Sequence, residues 1–307
     1  MLGSRRHTVA LLLFAPVLAA LASSCSLALG LGEEQCQTNA DCDKRGFKNA
    51  QCSQHVCVAA TGSGSSSSST GTGGAGGSDP AWSCLPGFVS PVPSGTVQVD
   101  FQIVMATGAA LPTDLKVKLC SSFDASCSSP VDANVILDAD GKHSFMVPPA
   151  FGNGYLEITS ASGETYPTLA FFGTDVIIPP ALKVIRLTTP AQLNALLNLT
   201  MLTADPAHGI AIMLTSDCQD QRTAGVALVS VSGSDAKTVP FYFNGNLPDP
   251  NATQTDAEGA GGFLNLKPGV VKVQASRFAT SEYIGDTTFQ VRPQTISYVP
   301  IGPTTKL

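Results

Sequence analysis

Beyond residue 96 the chain alternates apolar and polar positions in short runs. Val97, Val99, Phe101 and Ile103 share one face of a period-two segment, as do Leu115, Val117 and Leu119, then Ile210, Ile212 and Leu214, and later Phe289 with Val291 and Ile296 with Tyr298. Such alternation marks strands that turn one face to a core. Asp140-Gly141, Asn153-Gly154, Asn244-Gly245 and Pro268-Gly269 punctuate the runs with turn chemistry. Short strands at this spacing predict a β-sandwich. One segment departs from the pattern. Thr189 precedes Pro190, Gln192 stands three residues on, and Leu193, Leu196, Leu197 and Met201 recur at helical spacing. A capping box, a first-turn proline and an apolar stripe predict a helix that plugs or bridges the two halves.

The runs fall into two copies of one pattern. The first reads Asp138-Ala139-Asp140-Gly141, then Phe145, Pro149 and Gly154-Tyr155-Leu156-Glu157-Ile158; the second reads Asp256-Ala257-Glu258-Gly259, then Phe263, Pro268 and Gly269-Val270-Val271-Lys272-Val273. Each describes an acidic-Gly turn, a strand with one aromatic aimed inward, a corner, and a returning strand. A strand-like run precedes each copy, Leu115 to Cys120 in one case and Gly225 to Val231 in the other. The expected fold class is all-β, with two tandem sandwiches over residues 80–188 and 203–307 and a connecting helix over 189–202.

Three segments precede the sandwiches. Arg5, Arg6 and His7 followed by the apolar stretch Thr8 to Ala22 have the charged head and greasy centre of a secretory signal, predicted over residues 1–24. A retained membrane anchor is the alternative, although the stretch is shorter than the roughly 20 residues a span requires. Residues 33–60 hold Cys36, Cys42, Cys52 and Cys57 with almost no apolar residues, so covalent staples must supply the order that a core cannot. Zinc is the weaker reading, since no C-x2-C pair occurs and only His55 is nearby. Residues 61–79 are almost entirely Gly, Ser and Thr and predict a flexible tether spanning about 25 Å on average.

Ala22-Ser23-Ser24-Cys25 resembles the lipobox of bacterial lipoproteins, in which a cysteine following small residues becomes the acylated first residue of the mature chain. A rival cleavage after Ala20-Leu21-Ala22 would release a soluble protein. Parity of the cysteines bears on the choice. Nine cannot all pair, but lipid on Cys25 leaves two even groups, the four above and Cys84, Cys120, Cys127 and Cys218. Pairing of Cys120 with Cys127, and then of Cys84 with Cys218, is one of three arrangements open to the second group. An exported, oxidising compartment suits so many thiols.

In the second copy, TDAEGAGGFLNLKPGVVKVQAS resembles the carboxypeptidase regulatory-like domain through Thr255, Asp256, Gly259, Phe263, Leu266, Pro268, Gly269 and Val273. The resemblance implies a transthyretin-like, immunoglobulin-like β-sandwich over about residues 205–303; over 88–188 it is fainter, because Asn153-Gly154 stands where the compact corner belongs. The four-cysteine module behind a lipobox is similar to segments of myxobacterial surface lipoproteins, a family that implies no activity.

Chemistry is thin. The net charge is −6 with 17 basic residues in no long run, which argues against nucleic acid. Loss of Arg5 and Arg6 with the signal makes the mature chain two units more negative. The peptidase chemistry of carboxypeptidases belongs to a separate catalytic domain with an H-x-x-E pair, and none of His7, His55, His143 and His208 is followed by Glu at that distance. Asp138, Asp140, Asp256 and Glu258 read as polar turns rather than a calcium site, and the sequence points to no cofactor and no metal. Tyr166, Phe171, Phe172 and Tyr242 concentrate aromatics in a chain that has few; either they contact a ligand such as a sugar or they fill the cores. The expectation is a non-enzymatic lipoprotein of the bacterial outer membrane, periplasmic or surface-facing. It would be held by membrane lipid through an acylated Cys25, and would display sandwiches for adhesion, scaffolding or capture of a glycan or envelope protein. The alternative is a carbohydrate-binding module that serves an enzyme on another chain.

Overall fold

The computed structural model describes residues 38, 40, 50–53, 56–59, 80–85, 87–88, 96–122, 124–147, 154–173, 183–245 and 247–304. The predicted signal, Cys25, Cys36, Cys42 and the tether lie outside the described residues. Strands β1 (Ala50–Ser53) and β2 (Val56–Ala59) form an antiparallel hairpin that sets the backbones of Cys52 and Cys57 opposite each other.

The rest of the described residues, from Pro80 on, are all-β with one short α-helix. The first half contains β3 (Val97–Met105), β4 (Leu115–Cys120), β5 (Lys142–Val147), β6 (Tyr155–Ser160), β7 (Thr168–Phe171) and β8 (Lys183–Leu187). After helix α1 (Pro190–Leu199), the second half contains β9 (Gly209–Thr215), β10 (Val226–Ser230), β11 (Val239–Asn244), β12 (Leu247–Asp249), β13 (Ala260–Leu266), β14 (Gly269–Arg277), β15 (Tyr283–Val291) and β16 (Ile296–Ile301). Pairing confirms the repeat strand by strand. Sheet order β5-β3-β8 in one half matches β13-β9-β16 in the other, and β4-β6-β7 matches β10-β14-β15. Even the parallel pair is kept, β3 with β8 and β9 with β16. Among the described residues the hairpin partners β11 and β12 have no counterpart in the first half; they are laid on the outer edge of β13.

Both acidic turns do the same job. The Asp138 carboxylate accepts from the amides of Asp140 and Lys142 at 2.9 and 2.7 Å, and that of Asp256 from Glu258 and Gly245 at 3.0 and 2.8 Å. Gly141 and Gly259 follow at φ +76° and +62°, and a Cβ on either would come within 2.6 Å or less of the carbonyl oxygen of Ile103 or Thr215. These residues close hairpins, and only glycine fits the close backbone approach.

The halves are not separate bodies. Strand β7, the edge of the first half's β4-β6-β7 sheet, pairs in parallel with β16, the edge of the second half's β13-β9-β16 sheet, with Ile296, Ser297 and Tyr298 opposite Thr168, Leu169 and Ala170. One eight-stranded sheet, β12-β11-β13-β9-β16-β7-β6-β4, therefore runs through the molecule, and the two three-stranded sheets pack on it. Val99, Phe101, Ile103, Val117, Leu119, Leu156 and Ile158 fill the first sandwich. Ala211, Met213, Leu228, Phe263, Val273, Phe289 and Val299 fill the second.

A third cluster lies on the other face of the long sheet. Leu193 and Leu197 of α1 cover Ile210, Ile212, Phe241, Phe243, Leu264 and Ile296. The face carrying Ile210 and Ile212 thus looks to the helix, and the small residues between them look into the sandwich. Helix α1 begins as expected: the Thr189 hydroxyl accepts from the Gln192 amide at 3.1 Å and the Gln192 side chain accepts from the Thr189 amide at 2.9 Å. Met201 does not join its stripe. The chain reverses there in the left-handed region, φ 56°, so Met201 is 92% exposed and Leu202 packs instead.

Candidate functional site

The aromatics offered as ligand contacts are mostly interior. Phe171, Phe172 and Tyr242 are buried and Tyr166 is half-buried against the helix cluster. The Tyr242 hydroxyl accepts from the Leu228 amide at 2.8 Å, closing the outer edge of β10. Burial pushes its phenol pKa up. Phe172 meets Phe145 edge-on in the first core, and Phe171 stacks between Tyr155 and Phe289. Phe171, Phe172 and Tyr242 are thus packed in the cores, the second of the two readings, while Tyr166 keeps part of its surface in solvent. Sequence alone left the two readings open because Tyr166 to Phe172 and Phe241 to Phe243 are continuous apolar runs, which strands buried on both faces share with exposed binding stripes.

Of these residues Phe171 belongs to the joint between the halves. Beside the β7·β16 ladder, Leu169 and Phe171 turn away from the first core and enter the second cluster with Phe289. At the rim stands Arg292. Its Nη1 donates to Glu157 Oε2, and its Nη2 donates to Ala125 O at 2.9 Å and to the Tyr155 hydroxyl at 3.0 Å. The Tyr155 hydroxyl in turn donates to Asp124 O at 2.7 Å, and Lys118 Nζ reaches Glu157 Oε1 at 2.8 Å. Burial pushes the Glu157 carboxyl up, but the bonds from Arg292 and Lys118 more than offset it, so it is held below its ordinary value of 4.5. Both terminal nitrogens of Arg292 therefore find partners in this half-buried place.

Arg292 and Glu157 escape sequence reasoning, although a signal exists. Glu157 is a carboxylate inside the apolar run Tyr155 to Ile158, and a charge there requires a partner from elsewhere in the fold. Asn265 escapes sequence reasoning in the same way. Its backbone is left-handed, φ 60°, at a bulge in β13; its side chain accepts from the Asp205 amide at 2.8 Å and donates to Thr203 O and Lys237 O at 3.0 and 3.3 Å. Nearby, His208 lies 3.3 Å from both Asp205 and Asp235 rather than free in solvent, and His143 sits 2.8 Å from Ile136 O beside Phe101 and Phe145.

A covalent strap completes the joint. Disulfides join Cys84 to Cys218 and Cys120 to Cys127. The segment Pro80–Trp82 is a single 3₁₀ turn. Its Trp82 packs in the second half's cluster under the Arg277 guanidinium, 5.9 Å from the ring centre, and not at the start of the first sandwich as the order of the chain suggests. Cys218 N donates to Ala81 O at 3.0 Å. The chain leaving the tether is thus fixed to the second half before it enters the first.

Among the described residues no group of three or more His, Cys, Asp or Glu side chains is arranged to hold a metal ion, and no helix is long and apolar enough to cross a membrane. No family model matches the chain, and no curated protein matches it. Among solved structures it is similar to the Bacillus anthracis TIE protein, at 10% identity over 67% of this chain and 34% of that one with a TM-score of 0.22. It is similar also to a streptococcal ancillary pilin, at 15% identity over 67% and 68% of the two chains with a TM-score of 0.20. A third is the shaft pilin SpaA of Lactobacillus rhamnosus GG, at 10% identity over 69% and 99% with a TM-score of 0.22. This chain spans about a third of the length of the first of these. At such scores no functional inference passes from these proteins to this one.

Proposed function

We propose that the chain is a non-enzymatic lipoprotein of the bacterial envelope, anchored by lipid on Cys25, whose fused sandwich pair is displayed on the 61–79 tether as a scaffold for envelope partners. The observation that carries this reading is the joint. Parallel strand pairing, the Arg292 network and the Cys84–Cys218 strap make one body out of two repeats. A display or spacing role calls for a body that does not flex, and an oxidising compartment is where its disulfides persist.

Intact mass of the protein from its own cells, measured with and without reductant, tests the reading. The expected product begins at an acylated Cys25 and gains eight hydrogens on reduction, one for each of the other cysteines. An unmodified amino terminus, or several free thiols before reduction, contradicts it.

A further inference from the structure

The outer edge of β13 is covered by β11, with Pro240 opposite Phe263 and Phe241 opposite Gly262. Among the described residues its counterpart in the first half, β5, has no such cover. In the β3·β5 ladder the amide of Ile103 bonds Gly141 O at 2.8 Å, so the odd-numbered residues of β5 bond inward and Lys142, Ser144 and Met146 turn their N–H and C=O groups away from β3. Lys142 is satisfied there by Asp138, whose carboxylate accepts from its amide at 2.7 Å and whose own amide bonds its carbonyl at 2.9 Å. Among the described residues nothing pairs with the outward groups of Ser144 and Met146.

The side chains point the same way. Phe263 is buried beneath β11, whereas Phe145, at the same place in the repeat, is half-buried within a cluster of Phe101, His143 and Phe172. Met146 beside it is 58% exposed. The first half has the edge and the aromatic that the second half uses to hold an antiparallel strand, and among the described residues no strand lies on it.

We propose that this edge is filled by a second copy of the chain, with β5 paired antiparallel to β5 across a twofold axis centred on Phe145. That register sets Ser144 of each copy opposite Met146 of the other, so the four outward backbone groups on each side find partners without displacing Asp138. Phe145 faces Phe145 of the second copy as a non-hydrogen-bonded pair, where side chains come closest, and takes the place of Pro240 over Phe263. No like charges meet. The contact is self-complementary, as a twofold interface requires.

Sedimentation equilibrium of the full chain over a concentration series tests the proposal, together with amide hydrogen exchange at low and high concentration. The expected result is a monomer–dimer equilibrium in which the Ser144 and Met146 amides become protected as concentration rises. Ser144→Pro removes an outward amide and no β3 bond, and Met146→Lys places a charge on the paired edge; each is expected to weaken association by about tenfold or more. Should Ser144→Pro disturb folding, Met146→Lys carries the test. A chain that stays monomeric throughout, a dimer indifferent to Met146→Lys, or Ser144 and Met146 exchange rates that ignore concentration would overturn it.

Discussion

The two halves carry the same six strands in the same pairing order, yet their corresponding sheet faces meet different surroundings. On β6 and β7 the outward positions are Tyr155, Glu157, Leu169 and Phe171, buried against the second half; the same positions on β14 and β15 are Val270, Lys272, Thr288 and Gln290. There Val270 is 64% exposed, and Lys272 pairs on the surface with Asp286 at 3.2 Å. The other pair of sheets shows the reverse. Ile210, Ile212 and Ile296 lie under α1 in the second half, while the outer face of β3 in the first carries Gln98, Asp100 and Gln102. One topology serves both halves, and a few outward side chains decide which faces are joined and which stay in water.

The strap gives the largest contrast. The Cys84–Cys218 bridge closes a separation of 134 residues and ties both halves, whereas Cys120–Cys127 closes one of 7 within a single loop. On chain entropy, replacing the first pair with alanine should cost about 5 kcal/mol and the second about 2 kcal/mol. Urea titration of the two double variants checks the order; equal losses would mean that the long strap does not bind the halves together.

Next comes the joint's apolar contact. Leu169→Ala is expected to lose about 3 kcal/mol, since it opens a cavity between the halves. Thr288→Ala, at the same place in the second repeat, should stay within about 0.5 kcal/mol because that side chain faces water. Comparable losses at the two sites would remove the distinction between joined and free faces.

How much of this the sequence discloses depends on the range of the interaction. The acidic-Gly turns, the Thr189 and Gln192 capping box and the repeat itself are local patterns, and each appears where expected. The parallel pairing of β7 with β16 joins segments more than a hundred residues apart and leaves only an indirect trace, the loss of alternation in Leu169 to Phe172. A strand covered on both faces has no polar side to show. The same loss of contrast made buried rings look like binding residues, and it hid Glu157, whose partner Arg292 comes from the far end of the chain.

The smallest effect is on pH. The Glu157 carboxyl is held below its ordinary value of 4.5 in the folded protein, so it adds stability that is complete above that value and is lost as pH falls through the lower, folded one. Asp205, held down to about 2 by Lys237 and the Ala207 amide, adds a share within the second half that is lost between its ordinary 3.8 and about 2. Glu157→Gln is expected to flatten the upper part of the acid limb in thermal unfolding, and an unchanged limb would contradict the assignment.

Hydrogen exchange at the Ile296 amide, which crosses the joint to Pro167 O at 2.9 Å, tests most directly whether the two repeats form one body. Exchange only through global unfolding, with the same denaturant dependence as amides in the centre of β9 and β13, is the predicted result. Exchange by a local opening that leaves β9 and β13 protected would show two sandwiches that merely touch.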